Sequence, residues 1–279
     1  GPYEDVESED ILPAYVGASE ATKIDGKWRF LGRLQDRNER GNQTRLAPGA
    51  LCLPLGVGTK ADCRVVFTAC AALNGLRGEC VFHSARQKIT DRWRVESGDW
   101  RVNVFPAMAA NEHEPIPANS LYGSANFNPA TVLLVPALRN FDLEFDVQFP
   151  TFNGNDVQTR GGLVADGVVF EIDVLQKSLI CRDHRKDVLA LKSLPWLQYD
   201  RYYHFRAFRC EGISQVYLDD ELMMYLPAYG DGSDRLGFTV DHSDMIVTNL
   251  RVWELKTENR QGFAIEAGAG PGVMNGVHF

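Results

Sequence analysis

The chain has 279 residues, 44% of them hydrophobic, enough for one large β or α/β domain, or two modest ones, with a real core. Its formal net charge of −8, with no arginine-rich run and no aromatic-and-basic repeat, leaves no basic field to gather phosphates and sets nucleic acid aside as a partner. The longest apolar runs, Thr131–Val135 and Leu222–Leu226, are too short for a helix that spans a membrane.

In chain order, Gly1-Pro2 resembles a protease-cleavage scar, which leaves open whether a signal peptide was removed. Residues 1–23 are acidic and without clear period, and are expected to form an arm. From residue 24 to 90 the sequence predicts added strands, including "APGALCLPLG" and a hairpin turning at Asn74-Gly75 between Cys70 and Cys80. Asn42-Gln43-Thr44 is a glycosylation-type sequon. Six cysteines suit an oxidising compartment, and the pairs Cys70–Cys80, Cys181–Cys210 and Cys52–Cys63 are one of 15 connectivities; buried thiols are the equal alternative. No Cys-x-x-Cys knuckle favours zinc.

In "WRVESGDWRV" a two-residue turn at Ser97-Gly98 would pair Trp93 with Val102 and Val95 with Trp100, gathering all four on one buried face. The segment Phe141–Phe149 alternates strictly, with apolar residues at odd positions, predicting a strand with one core face and one wet face. "YYHFRAFRCEGISQVYLDDELMMYL" reads as a three-strand meander with turns at Glu211-Gly212 and Asp219-Asp220, and "MIVTNLRVWEL" supplies another strand. Residues 262–279 are glycine-rich and are expected to form a tail. Helical spacing of apolar residues is nearly absent, so the expected class is all-β, with one domain over 24–261 and two packed β units as the alternative.

The succession "DRWRVESGDWRV", "FDLEFDVQF", "GGLVADGVVFEIDVL", "YYHFRAFRCEGISQVYLDDELM" and "TNLRVWEL" resembles the concanavalin A-like lectin/glucanase sandwiches over roughly residues 90–256, and within them the laminin-G-type and 3-keto-disaccharide-hydrolase-like jelly rolls. The resemblance implies two stacked antiparallel sheets, a jelly roll with N-terminal strands 24–90 added to a core of 91–256, and a glycan held on a concave face or by the edge loops. It is informative for fold and poor for function.

Candidate chemistry centres on Glu171-Ile172-Asp173-Val174-Leu175-Gln176, where Glu171 and Asp173 share one strand face. The string resembles the laminarinase-type motif, by which Glu171 would be nucleophile and Asp173 its helper. Gln176 stands where the acid/base Glu should be, and an amide cannot protonate a leaving oxygen. His184, within the cluster Arg182 to Lys186, is a candidate base beside a glycan cleft, with a solvated turn as the plainer alternative. Trp196 and Tyr199, near Pro195, could offer a sugar an aromatic platform or plug the end of the sandwich. Arg182 and Gln176 are further ligand-binding candidates. Calcium is the cofactor candidate, through Asp156 in one oxygen-rich loop or Asp231 and Asp234 in another; turn chemistry is the plainer account of both loops.

The first functional expectation is a glycan-binding or adhesion sandwich at an extracellular, periplasmic or cell-surface place. The second is a carbohydrate-active enzyme, a glycoside hydrolase or 3-keto-glycoside-cleaving enzyme, using Glu171, Asp173 and His184. The third is an assembly domain that docks protein partners through its terminal arms.

Overall fold

In the computed structural model the described residues are 14–24, 27–36, 53, 55–102, 117–125, 127–151, 160–226 and 230–256, with backbone alone for 14–36. Cys52, the 42–44 sequon, Asp156 and its loop, the glycine-rich tail and residues 1–13 lie outside them. The strands run β1 Ala14–Ile24, β2 Lys27–Asp36, β3 Leu55–Thr59, β4 Val65–Ala69, β5 Arg77–His83, β6 Trp93–Ser97, β7 Asp99–Val102, β8 Leu121–Ala125, β9 Ala130–Leu134 and β10 Phe141–Gln148. They continue as β11 Arg160–Ala165, β12 Val168–Asp173, β13 Ser178–Asp183, β14 Val188–Ser193, β15 Tyr203–Cys210, β16 Ile213–Leu218, β17 Glu221–Leu226, β18 Leu236–Asp241 and β19 Ser243–Leu255.

The two-sheet antiparallel sandwich expected from the sequence is present. The larger sheet has the order β17-β16-β15-β10-β19-β8-β7, with β5 pairing the second half of the long β19, and the smaller has the order β14-β13-β12-β11-β18-β9-β6. The N-terminal addition is a separate sheet, β1-β2-β3-β4. Residues 14–23, placed by composition in an arm, carry most of β1, which pairs with β2.

Tight turns set the meander. Glu211-Gly212 and Asp219-Asp220 both have positive φ at their two central positions, the geometry whose twist matches two-residue hairpins. Asp166-Gly167 closes β11 onto β12 in the same way. Between the sheets, Leu143, Phe145 and Val147 of β10 meet Leu163, Phe170 and Phe238 of the smaller sheet in one apolar core.

The hairpin expected in "WRVESGDWRV" does not form. Trp93 and Trp100 are buried, at 2% and 5% exposure, as the alternation implies. They are not partners in a hairpin: β6 joins β9 in the smaller sheet and β7 joins β8 in the larger. Gly98, with φ +72°, is the corner at which the chain changes sheets, so Val95 is left exposed at an edge rather than paired with Trp100. Trp93 stacks on Phe238, and Trp100 lies over Gly123, where a Cβ would meet the indole at 2.7 Å.

The Asn74-Gly75 hairpin is likewise absent. Ala71–Leu76 forms a short 3-10 helix, after which β5 leaves its neighbour β4 and joins β19. Cys63, Cys70, Cys80, Cys181 and Cys210 are thiols, so the expected disulfides among them do not form. The reason is placement: Cys181 belongs to the core between the sheets, whereas Cys70 and Cys210 lie in a second apolar cluster on the other side of the larger sheet.

That second cluster explains why the even positions of Phe141–Phe149 are not wet. Leu53, Leu55, Leu73 and Leu76 cover the outer face of the larger sheet at Phe208, Ile213 and Tyr225. Asp142, at 0% exposure, accepts from Arg77 Nε at 2.7 Å and from Arg206 Nη2 at 2.6 Å, and Arg206 also donates to Asn74 Oδ1 at 2.9 Å. Glu144 takes Arg77 and Arg251, and Arg77 lies 3.8 Å over the Trp253 ring. Buried charge is tolerated here because each carboxylate meets several guanidinium donors.

Ala at position 98 combines a positive φ with a Cβ 2.3 Å from that of Ala130, whereas a Cβ at Gly75 meets nothing within 4 Å. Urea denaturation of Gly98→Ala is expected to show a loss of at least about 2 kcal/mol, with Gly75→Ala within about 0.5 kcal/mol of the parent.

Candidate functional site

Glu171 and Asp173 do share the outer face of β12, since Phe170 and Ile172 point into the core. Their surroundings commit both. Glu171 accepts from Arg182 Nε at 3.0 Å, and Arg182 also donates to the Lys186 carbonyl. Asp173 Oδ1 accepts the Gln176 backbone N–H at 2.8 Å, so this carboxylate shapes the β12–β13 turn while the Gln176 side chain is exposed. A second ion pair, Arg160 to Asp241 at 2.7 Å, lies on the same face, because Arg160 pairs in register with both Asp173 and Asp241. Each carboxylate of the expected pair is thus held by a neighbour, Glu171 by a guanidinium and Asp173 by a turn N–H.

Trp196 and Tyr199 are half-buried and pack against the core, and the Trp196 ring tilts against Tyr203 with centroids 5.6 Å apart. Tyr203 in turn takes the Gln198 N–H on its hydroxyl at 2.7 Å, so this loop is tied down at the end of the sandwich.

His184, Asp231 and Asp234 come together around one end of the sandwich. His184 Nδ1 lies 3.9 Å from Asp231 Oδ2, and Asp234 pairs with Arg139. Burial raises the Asp231 carboxyl, but the Ser233 hydrogen bonds and His184 bring it below its ordinary value; Arg139 lowers Asp234 in the same direction. The two carboxylates do not converge: one faces Ser233 and the other Arg139. Among the described residues, no group of three or more His, Cys, Asp or Glu side chains could hold a metal ion.

Arg139 and the glycines on either side of Asp231 belong to the wall of an open cleft of about 530 Å³, within the ~300–1,000 Å³ span of small-molecule sites. Its walls are Arg139, Asn140, Asp166, Glu211, Gly212, Gly230 and Gly232. The floor is an ion pair that bridges the sheets: Arg209 of β15, 2% exposed, reaches Asp166 of the β11–β12 turn, with Nη2 3.1 Å from Oδ2. Arg209 Nη1 also donates to Ser214 Oγ at 2.8 Å and to the Gly212 carbonyl at 3.2 Å. Asn140 and Glu211 clasp one another, the Glu211 N–H donating to Asn140 Oδ1 at 2.7 Å and Asn140 Nδ2 to Glu211 Oε1 at 3.4 Å. At Gly230 a Cβ would sit 2.4 Å from Asp166 Oδ2, and at Gly167 one would sit 2.4 Å from the Asp231 carboxyl carbon, so only glycine lets these loops close on the carboxylates.

Asp166, Arg209, Arg139, Asn140 and Glu211 were not singled out from sequence. One signal was available for Arg209: it falls at an inward position of a strand whose other inward residues are Tyr203, Phe205 and Ala207. A charge at such a position calls for a buried partner.

A second polar group lies on the outer face of the larger sheet. His204 Nδ1 is 2.9 Å from Asp146 Oδ1, and Asn249 Nδ2 donates to Asp146 Oδ2 at 2.6 Å. The bond to Asp146 raises the His204 value against burial; burial raises Asp146, but the bonds from His204 and Asn249 bring it below its ordinary value.

No protein-family model matches the chain, and no curated protein sequence matches it. Among solved structures it is similar to the carbohydrate-binding module CBM66 from Bacillus subtilis, at 16% identity over 58% of this chain and 95% of that one, with a TM-score of 0.46. It is also similar to the exoplasmic/lumenal domain of VIP36 in its Ca2+/Man3GlcNAc-bound form, at 10% identity over 61% and 87%, TM-score 0.41. A galectin, LEC-6 of Caenorhabditis elegans, aligns at 8% identity over 48% and 95%, TM-score 0.34. At this distance the likeness assigns no ligand and no residue.

The His204–Asp146 pair has a definite pH signature. Its contribution is complete below the ordinary His value of 6.5 and is lost as pH rises through the raised folded-state value; on the acid side it is complete above the ordinary Asp value of 3.8. Urea melts between about pH 5 and pH 8 are expected to show stability falling with pH, and His204→Gln to flatten that slope.

Proposed function

We propose that this protein is a glycan-binding sandwich domain that takes its ligand in the cleft over the Arg209–Asp166 pair. The observation that supports this reading is the make-up of the cleft wall. A sugar presents alternating donors and acceptors, and Arg139, Asn140, Glu211, Asp166 and the exposed backbone of Gly212, Gly230 and Gly232 offer both kinds over a small area. Most of these side chains are already held by a neighbour, so little rotamer freedom is lost when a ligand arrives.

Binding, rather than bond cleavage, fits the commitments of the candidate catalytic residues. Glu171 is held by Arg182, Asp173 by a turn, and His184 sits in an exposed turn. An adhesive role outside the cytoplasm accords with such a ligand; the thiols lend that placement nothing, and it rests on the ligand class alone.

Screening the full chain on a glycan array, followed by calorimetry on the best ligand, tests the proposal. Asn140→Ala is expected to weaken binding by about tenfold or more, one good hydrogen-bonding group's worth. Trp196→Ala is expected to leave binding within about twofold while costing about 2 kcal/mol of stability, part of the ~3–5 typical of a fully buried indole. Absence of any glycan ligand for folded protein would remove the proposal.

A further inference from the structure

Away from the cleft, donor side chains converge on the outer face of the larger sheet, where β5 meets the second half of β19. Arg251 stands across from His83 in the register of these two strands, on the side opposite the core-facing Val252, and its Nη2 donates to Glu144 at 2.9 Å. Arg86 comes from the turn after β5, which the Arg86 and Gln87 N–H groups close on the His83 carbonyl at 2.9 and 3.0 Å. Arg86 is exposed, and among the described residues its guanidinium has no hydrogen bond or ion pair.

His83 is set as a donor. Its Nδ1 accepts the Ala85 N–H at 3.1 Å, which leaves the ring proton of the neutral imidazole on Nε2. Burial first, and then the Arg86 and Arg251 guanidiniums, hold the imidazole below its ordinary value, and no carboxylate is among the influences on it. Arg251 is fixed in advance by Glu144 and by the Trp253 ring, 5.8 Å away, so little freedom is lost when it meets a ligand.

Positive charge is in surplus here. Arg77, Arg206 and Arg251 surround Asp142 and Glu144, and Arg86 adds a fourth guanidinium, while Asp146, further along β10, is engaged by His204 and Asn249. Four guanidiniums thus face two carboxylates on a chain whose net charge is −8. Cations gathered without enough counter-charge repel one another, a cost that an arriving anion relieves.

From this convergence we infer that His83, Arg86 and Arg251 form a second binding site, which takes the carboxylate or sulfate of an acidic sugar on His83 Nε2–H and the two guanidiniums. Planar guanidinium forks match such oxyanions, and the imidazole N–H adds a directed third donor. The anion site stands on these three residues; that its ligand is a saccharide rests on the glycan-binding reading.

Isothermal titration of the full chain with a galacturonic acid trimer, its fully methyl-esterified form, a sulfated galactose trimer and a phosphoserine tripeptide tests it. One of the two anionic trimers is expected to bind at least about tenfold more tightly than the neutral ester and to weaken severalfold as salt is raised from about 0.05 to 0.5 M; the tighter of the two identifies the group. Arg86→Gln removes an exposed guanidinium that leaves no partner stranded, so it is expected to fold as the parent does and to lose about tenfold in that affinity. The His83 ring resonances are expected to move as the tighter trimer is added. Equal binding of acid and ester, or an Arg86→Gln variant that binds as well as the parent, would overturn the anion site and leave the glycan reading standing. Anionic-trimer binding that is lost in Asn140→Ala and kept in Arg86→Gln would put the ligand in the cleft and remove the second site. Protein that binds a neutral glycan but neither anionic trimer would refute the second site alone, whereas failure of every saccharide would refute both readings. A phosphoserine tripeptide that binds as tightly as the better trimer would overturn the assignment to a sugar.

Discussion

The bond between Arg209 and Asp166 joins the two sheets of the sandwich at one end, and the local structure there is arranged around it. A guanidinium on the inward side of β15 cannot stay charged against a phenylalanine core without a partner, and the partner comes from a turn of the opposite sheet. Removing either member would strand the other, at about 3–5 kcal/mol. Holding them together requires the β11–β12 turn, the Gly212 carbonyl and the Gly230 loop to approach closely, and their convergence makes the walls of the cleft. The cleft thus follows from satisfying a buried charge.

On the larger sheet a comparable arrangement acts in the opposite sense, closing a surface instead of opening one. Asp142 and Glu144 bind Arg77, Arg206 and Arg251 between β5, β10, β15 and β19, and the 3-10 helix adds Asn74. Apolar residues from the N-terminal strands then seal part of that face. A two-sheet sandwich normally offers two outer faces and two ends; with part of one face occupied by the chain itself, the end loops and the face bearing Glu171 hold most of the remaining polar surface.

Alternation made the class of fold legible, and it placed Glu171 and Asp173 on one face and the two tryptophans in the core. What it could not supply was connectivity. A Ser-Gly pair with a positive-φ glycine serves equally as a hairpin turn and as a corner between sheets, and only the packing of Gly98 on Ala130 selects the corner. The alternating strand Phe141–Phe149 likewise says nothing about whether another layer lies over its polar side. Asp166 and Arg209 are 43 residues apart, so no local spacing joins them; an arginine among inward aromatic residues was the one trace of the pair in the sequence. The cysteines were misleading because symmetry about Asn74-Gly75 implied a hairpin that the 3-10 helix replaces.

The corner at Gly98 also has a bearing on how the sandwich opens. Edge strands usually fray separately, each held only by its single neighbour. Here the edge strands of both sheets, β6 and β7, are joined through one glycine, and each carries a buried indole into the same core. Peeling β6 from β9 pulls on β7, and lifting Trp93 loosens the layer in which Trp100 sits. That margin therefore behaves as a hinge pin shared by two leaves, releasing its amides to solvent together.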